Sequence, residues 1–258
     1  MVYTFRMKDF RLWHEEDKNT FNNETNIYFS QCTSDGRLSL NELLRITSDI
    51  AVEDYSQRGM SRPYLVEKGF YILVSRASFR FHRMPLENEE ITVTTWEEKP
   101  EAFQLMRAYE IKNKSGDRLV SGLSSWLLVD PAARRIVPTE KFTLRPQVDI
   151  QREHDCLKPG KIIIPKNDTT LIDERIIRYS DIDANGHTNN SRYGAFIMDA
   201  LPKQYQQKVF TDFKINYSKE AMLGEKLSVF GYFDDEAKKI SVFGRTEQGL
   251  SFESELYY

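Results

Sequence analysis

The feature that most constrains the fold of this sequence is a repeated order of elements. In each half, hydrophobic periodicity predicts one strand, one amphipathic helix and then four consecutive strands. Sliding the first half forward by 150 residues places Ser30 on Ser180, Gly36 on Gly186 and Asp49 on Asp199. Such internal similarity indicates two copies of one structural module within the 258 residues.

The first half contains a long helix followed by strands. Ser39 and Glu42 have the spacing of a capping box, and the apolar residues that follow share one helical face as far as Gly59. Strands rich in β-branched and aromatic residues are then predicted at 71–82, 91–97, 103–112 and 119–129. Consecutive strands beside one helix favour an antiparallel sheet packed on that helix, which is an α+β module.

The second half repeats this order after a proline-rich segment. A strand is predicted at 174–179, and the next helix begins at Asn189 or Asn190 and stops before Pro202. Four strands follow, at 209–217, 227–233, 240–246 and 251–258. Residues 131–168 carry five prolines and little periodicity, which is typical of a linker. We therefore predict an N-terminal module, a linker and a C-terminal module, at residues 1–135, 136–168 and 169–258.

Composition excludes several classes of protein. Hydrophobic residues make up 40% of the chain and the net charge is -3, which describes a globular protein without the basic excess of most nucleic-acid-binding domains. The sequence has no run of about 18 apolar residues, the length needed to span a membrane. Residues 1–11 lack the apolar stretch of a signal peptide. Two cysteines are too few for a disulfide framework and fit a reducing compartment. We expect a cytoplasmic protein with no nucleic-acid partner and no membrane span.

The densest polar cluster lies on the predicted strand-to-helix turn of the second half. Asp183, Asn185 and His187 occur there just before a helix N-terminus. Together they supply a carboxylate, an amide, an imidazole and a positive dipole end, which are groups that hydrolysis requires. At the matched positions the first half has other residue types, Thr33, Asp35 and Arg37. We therefore expect chemistry in the second module only.

The same turn carries a family signature. The run SDIDANGHTNNSRY, from Ser180 to Tyr193, closely resembles the pattern D-x-N-x-H-x-N-N-x-x-Y of acyl-acyl-carrier-protein thioesterases from plant plastids and bacteria. The run YSKE that ends at Glu220 is similar to a second family element, an aromatic residue followed by two polar or basic residues and a catalytic glutamate. The run SSWLLVD at 124–130 also resembles the family, so the resemblance covers nearly the whole chain.

The resemblance implies a tandem hotdog fold, in which each module is a long helix packed on an antiparallel sheet. It also implies hydrolysis of fatty acyl-acyl-carrier-protein to a free fatty acid and the carrier protein. Carried over residue by residue, the catalytic set is Asp183, Asn185, His187 and Glu220, while the first module would hold the acyl chain. Plant members commonly carry cysteine directly after the glutamate, where this chain has Ala221. Attack by an activated water is therefore expected, without a cofactor or a metal.

Each catalytic group has a hypothetical role. His187 and Glu220 share the activation of water, and which of them is the base stays open. Asp183 orients Asn185 or His187, and Asn185 positions the water or the thioester carbonyl. Backbone N–H groups at residues 188–190, at the helix start, stabilise the oxyanion.

Other residues receive secondary roles. Asn189 and Asn190 are expected first to cap the helix, and Asp181 to belong to the turn. Six apolar residues are candidates to line an acyl tunnel by the resemblance, and are equally expected in the core: Leu43, Ile46, Ile50, Phe79, Phe81 and Trp96. Seven basic residues around the linker are candidates to meet an acidic carrier protein, although most such side chains only face solvent: Arg134, Arg135, Lys141, Arg145, Lys158, Lys161 and Lys166.

Alternative functions stay open on the sequence. They are hydrolysis of acyl-coenzyme A, the hydration chemistry of hotdog dehydratases, which also pair histidine with a carboxylate, and acyl binding without catalysis. The long signature argues against a dehydratase, and an intact four-residue set argues against a purely binding module. Two modules that pair internally are compatible with a monomer, and a homodimer is equally allowed. Acyl chain length depends on a tunnel whose depth the sequence does not show.

Overall fold

The computed structural model describes residues 10–133, 135–164 and 167–258. The first half contains β1 (Leu12–His14), β2 (Thr20–Asn26), α1 (Leu40–Gln57), α2 (Arg62–Glu67), β3 (Tyr71–Phe81), β4 (Glu90–Glu101), β5 (Gln104–Asn113), β6 (Arg118–Asp130) and β7 (Arg135–Val137). The second half contains β8 (Thr170–Ile176), α3 (Arg192–Ala200), α4 (Lys203–Gln206), β9 (Asp212–Tyr217), β10 (Lys226–Asp234), β11 (Lys239–Thr246) and β12 (Gly249–Tyr257). The predictions that concern residues 1–9, Arg134, Pro165 and Lys166 lie outside the described residues.

The strands form one antiparallel sheet in the order β1-β2-β4-β5-β6-β3-β9-β12-β11-β10-β8, with β7 paired to β6. The two modules join at its centre, where Arg76 of β3 lies opposite Asn216 of β9 and Phe79 lies opposite Phe213. Outward from this pair, the order β3-β6-β5-β4-β2 mirrors the order β9-β12-β11-β10-β8. The predicted α+β fold of two similar modules is confirmed.

The long helix α1 forms where its apolar periodicity predicts it, and its apolar face packs in the core with the strands. Its predicted capping box is absent, because Ser39 Oγ donates to the carbonyl of Gln31 at 2.9 Å instead. Glu42 also has another partner, since it accepts from Arg45 Nε at 2.9 Å. No helix in the described ranges is both long and apolar enough to cross a bilayer.

Five charged side chains meet between α1 and the sheet, and are called the buried ion cluster below: Asp54, Arg58, Glu97, Arg107 and Arg145. Arg58 Nη2 lies 2.7 Å from Asp54 Oδ2 and 2.8 Å from Glu97 Oε1. Arg107 Nη2 lies 2.8 Å from the same oxygen of Asp54. Burial alone would raise the pKa of Asp54, but the guanidinium groups of Arg107 and Arg58 outweigh burial and lower it. These ion pairs connect the end of α1 to strands β4 and β5 and to the linker.

The segment between the modules is held against the sheet more closely than its composition predicts. β7 pairs with β6, and Phe142 and Ile162 are buried. The side chain of Arg145 is only 7% exposed, because it pairs with Glu97 in the buried ion cluster. Its prediction as a docking residue is therefore wrong: a partner could reach it only by breaking a buried ion pair.

Trp96 lies on the sheet face opposite the helices. Side chains alternate along a strand, so Trp96 points away from the buried ion cluster that contains Glu97. It packs under the linker, with the Arg152 guanidinium 4.4 Å and the His154 ring 5.9 Å from its ring centroid. The prediction that Trp96 lines a tunnel is wrong, because the linker fills the space in front of it.

The two modules also meet through their helices. Gly194 of α3 lies directly against the backbone of α1, and an added Cβ would lie 2.9 Å from Asn41 N and 3.0 Å from Leu44 Cδ1. A side chain at this position would push α3 away from α1, because Cβ atoms do not approach backbone nitrogen so closely. Glycine at this position therefore permits the close helix contact between the modules.

We expect Gly194→Ala to lower the free energy of unfolding by about 1 to 3 kcal/mol, because overpacking forces backbone shifts. Gly160→Ala is the matched control, since its added Cβ would meet only Lys158 O at 3.8 Å. Urea denaturation of both variants and the wild type measures the difference. Equal stability of the two variants would contradict the role of Gly194.

Candidate active site

The loop between β8 and α3 is a tight turn that presents its polar side chains. The Asp183 N–H donates to the His187 carbonyl at 2.9 Å, and the Gly186 N–H donates to the Asp183 carbonyl at 3.0 Å. Gly186 has φ +83°, a left-handed conformation that glycine adopts without strain. The turn therefore fixes the backbone on both sides of Asn185.

A second contact joins this turn to the loop after β9. Both the N–H and the hydroxyl of Thr188 donate to the Ala221 carbonyl, at 3.1 and 2.7 Å. Thr188 is buried, so these bonds do not compete with water. They hold the residue that follows His187 against the residue that follows Glu220. The sequence predicted Thr188 only as a backbone oxyanion donor, because its contact with Ala221 joins distant parts of the chain.

This contact brings the predicted imidazole and carboxylate together. His187 Nδ1 lies 3.0 Å from Glu220 Oε1, and the two side chains are 33% and 51% exposed. If Nδ1–H donates to the carboxylate, then Nε2 is left to accept a proton from another molecule. The pair has the geometry of a general base with an orienting carboxylate.

The Asp183 carboxylate contacts Asn185 rather than the His187 imidazole. Its Oδ1 accepts the Asn185 N–H at 2.8 Å, and its Oδ2 lies 3.5 Å from Asn185 Nδ2. Of the two predicted roles for Asp183, the structure favours orientation of the amide. Asn185 is exposed, so its amide is accessible to another molecule.

The helix start differs from its prediction. Helix α3 begins at Arg192, and Asn189 Oδ1 accepts from the N–H and the hydroxyl of Ser191, at 2.9 and 2.7 Å. The N–H groups of Thr188 and Asn189 are already bonded within the protein, to the carbonyls of Ala221 and Asp181. Within the described part of the chain, Asn190 N–H has no such partner. Of the three N–H groups predicted to stabilise an oxyanion, only that of Asn190 is therefore available.

Asp181 is a structural residue of this turn. Its carboxylate accepts the Arg178 N–H and Arg192 Nε, both at 2.9 Å, and the residue is buried. These contacts fix the 3-10 turn at Tyr179–Asp181 against the start of α3. The prediction that Asp181 belongs to the turn is confirmed.

The first module contains the same turn but lacks the imidazole and the carboxylate that pair in the second module. The Thr33 N–H donates to the Arg37 carbonyl at 2.8 Å, and Leu38 N–H donates to the Pro85 carbonyl at 2.8 Å. These bonds match those of Asp183 and Thr188, which confirms the register of the repeat and places Met84 where the second module has Glu220. Arg37 Nη1 pairs with Asp35 at 3.2 Å, so no imidazole–carboxylate pair forms there.

A cavity of about 360 Å³ lies in the first module beside the β8–α3 loop. Its apolar wall comes from α1, α2, β3, β5 and β6, and includes Val52, Tyr55, Leu65, Phe70, Leu105 and Trp126. Asp183, Asn185 and Asn190 of the second module also line it. The β8–α3 loop of the second module therefore forms part of the wall of a cavity in the first.

The remaining tunnel candidates do not line this cavity. Leu43, Ile50, Phe79 and Phe81 are buried in the shared core, and Ile46 packs against that core. On α1 the cavity is lined instead by Ser48, Asp49, Ala51, Val52 and Tyr55. One sequence signal could have located it: Val52 is an apolar residue on the polar face of α1, where Ser48 and Ser56 lie one turn away. In the structure Val52 is 55% exposed.

The site contains no cluster of metal ligands. Across the described ranges, no group of three or more His, Cys, Asp or Glu side chains is arranged to hold a metal ion. Ala221, which follows Glu220, is fully buried, and its carbonyl accepts the two bonds from Thr188. Ala221 therefore holds the two loops together through its carbonyl, and its methyl side chain supplies no nucleophile.

Comparison with known proteins identifies relatives over most of the chain. The acyl-ACP thioesterase N-terminal domain family matches residues 18–144, and the acyl-ACP thioesterase C-terminal domain family matches residues 165–253. The chloroplastic palmitoyl-acyl carrier protein thioesterase of Gossypium hirsutum is 20% identical over 204 residues, which are 72% of this chain and 48% of that protein. A chloroplastic acyl-[acyl-carrier-protein] hydrolase of Cuphea viscosissima is 22% identical over 218 residues, or 80% and 53% of the two proteins. The chain spans about half the length of these curated relatives.

Solved structures share the fold along nearly the whole chain. An acyl-ACP thioesterase from Bacteroides thetaiotaomicron matches with a TM-score of 0.85 at 24% identity, covering 95% of this chain and 99% of that one. The 12:0-ACP thioesterase from Umbellularia californica matches with a TM-score of 0.78 at 15% identity, covering 92% and 96%. These likenesses confirm the tandem hotdog fold. Because both family domains match in order and together span most of its length, this chain belongs to the acyl-ACP thioesterase family.

Proposed function

We propose that this protein hydrolyses fatty acyl thioesters of acyl carrier protein by attack of an activated water. One observation carries the proposal: the His187–Glu220 pair lies on loops whose neighbouring residues, Asp183 and Asn185, line an apolar cavity. A proton acceptor beside an apolar space is what cleavage of an acyl chain from a polar carrier requires.

The proposed reaction uses the contacts of the site directly. Glu220 holds His187 through Nδ1, and Nε2 takes a proton as the water oxygen attacks the thioester carbonyl carbon. The oxyanion is stabilised by Asn190 N–H or by the Asn185 amide, which Asp183 orients. When the carbon–sulfur bond breaks, His187 returns the proton to sulfur. The products are the fatty acid and the carrier thiol.

The division of labour between modules follows from the same placement. We propose that residues 1–135 supply the acyl pocket, residues 169–258 supply catalysis, and residues 136–168 link them. Asn185 and Asn190 would meet the thioester at the boundary, with the alkyl chain extending past Val52 and Tyr55 of α1. Burial of each methylene contributes about 0.8 kcal/mol, so the pocket would supply much of the binding free energy.

Acyl carrier protein is the favoured carrier because both curated relatives are named for it. Hydrolysis of acyl-coenzyme A is the alternative with the same chemistry. Among the linker cations, Arg135, Lys141 and Lys161 are exposed and remain candidates for contact with an acidic carrier. Lys158 is partly engaged, since its Nζ lies 2.8 Å from Glu101. We expect the reaction to take place in the cytoplasm.

Release of free thiol from carrier protein charged with acyl chains of several lengths tests the activity. We expect His187→Ala and Glu220→Gln each to lower kcat/KM at least about a hundredfold, because each removes one partner of the proton-accepting pair. Arg37→Ala, at the position in the first module that matches His187, is the control and should retain activity. Acyl-coenzyme A serves as the competing substrate.

The outcomes separate the alternatives. A wild type that is folded and releases no thiol from either carrier would refute the enzyme and leave acyl binding without catalysis. Faster release from acyl-coenzyme A than from acyl carrier protein would favour the second substrate class. Full activity of Glu220→Gln would remove the carboxylate from the mechanism.

Thr188→Val tests how the pair is positioned. The change removes the hydroxyl that bonds the Ala221 carbonyl at 2.7 Å and leaves a similar volume. We expect kcat to fall about tenfold with KM within about twofold, because displacement of a base costs more in the transition state than in substrate binding. Thr188→Ser should restore kcat. A variant that melts earlier with an unchanged kcat would show that the tether only stabilises the fold.

A further inference from the structure

Two spaces in the first module lie on either side of one side chain. One is the acyl cavity described above. The other is a cleft of about 500 Å³ that is open to solvent and is lined by residues 17–19, Arg58 and residues 144–150 of the linker. Of the described residues that line these two spaces, only Met60 lines both. Met60 therefore separates the cavity from the cleft.

Met60 lies in the short connection between α1 and α2. Its N–H donates to the Tyr55 carbonyl at 2.8 Å, and the residue is 5% exposed. It belongs to a small apolar cluster with Tyr55, Leu65, Leu105 and Phe142. Methionine is unbranched and adapts to irregular gaps, so its side chain can close an opening without filling a regular core position.

The rest of the partition is charged and firmly held. Glu97 and Arg107 of the buried ion cluster face the acyl cavity, whereas Arg58 and Arg145 face the cleft. Arg58 Nη2 lies 2.8 Å from Glu97 Oε1, and Arg145 pairs with the other oxygen of Glu97. An alkyl chain that parted these groups would leave buried charges unpaired, which costs several kcal/mol. An alkyl chain could therefore pass from the cavity to the cleft only by displacing Met60.

We propose that Met60 sets the longest acyl chain that the protein accepts, an inference that rests on the proposed thioesterase function. A chain whose methyl end reaches Met60 fills the cavity. A longer chain must displace the Met60 side chain and enter the cleft beneath residues 144–150 of the linker. Specificity for length thus depends on a residue of the helix connection, remote from the catalytic pair.

The test compares wild type and Met60→Ala on carrier protein charged with a series of even-numbered saturated chains. Removing the side chain joins the two spaces, so kcat/KM for the first chain longer than the wild-type optimum should rise about tenfold relative to that optimum. Met60→Val, a smaller truncation, should shift the profile in the same direction and less far. Met198→Ala is the matched control, because Met198 packs against the core and lines neither space.

A separate binding measurement keeps this inference apart from the proposed catalysis. Free fatty acids of increasing length displace a fluorescent fatty acid from wild type, Met60→Ala and Met60→Val, each also carrying Glu220→Gln. Tighter binding of longer acids to the Met60 variants supports the inference even if the wild type hydrolyses nothing. An unchanged length profile in both folded Met60 variants would overturn the inference. An affinity change of the same size at every chain length would also overturn it, as would the same shift of the profile in Met198→Ala.

Discussion

The site depends on the contact between the two modules. The pairing of β3 with β9 makes one sheet of two, and Gly194 lets α3 approach α1 closely enough to share a core. Only this arrangement places Asp183, Asn185 and Asn190 on the wall of a cavity that the other module builds. Neither module alone contains both the cavity and the His187–Glu220 pair, so a change that shifts the modules relative to each other alters the candidate site without touching either residue of the pair.

The helix lengths differ between the two similar modules, and the cavity lies in the module with the longer helix. Helix α1 has 18 residues and α3 has 9, because Pro202 follows α3 almost at once. The cavity wall uses Val52 and Tyr55, which lie in the second half of α1. Helix α3 ends at Ala200, before the positions that would match these two residues. In the second module, aromatic rings pack closely. The ring centroids of Tyr193 and Phe252 are 5.1 Å apart, and those of Tyr205 and Phe233 are 4.5 Å apart.

Polar residues of two kinds line the cavity of the first module. At one end, Asn185 of the β8–α3 loop is exposed. At the other end, Glu97 and Arg107 are buried and form ion pairs with each other and with their neighbours in the buried ion cluster. The difference comes from solvent access and pairing rather than from residue type, since carboxylates occur at both ends.

The sequence by itself determined the repeat, nearly all the long elements, the double hotdog fold and the polar residues of the catalytic turn. These follow from periodicity and from a local motif, both of which are written in consecutive residues. Only the tertiary structure decided that Thr188 holds His187 beside Glu220, that Asp183 contacts Asn185, and that the candidate tunnel residues belong to the core. The reason is physical. Strand residues alternate between two faces, and whether a face meets a helix, a linker or an open cavity depends on segments far away in the chain.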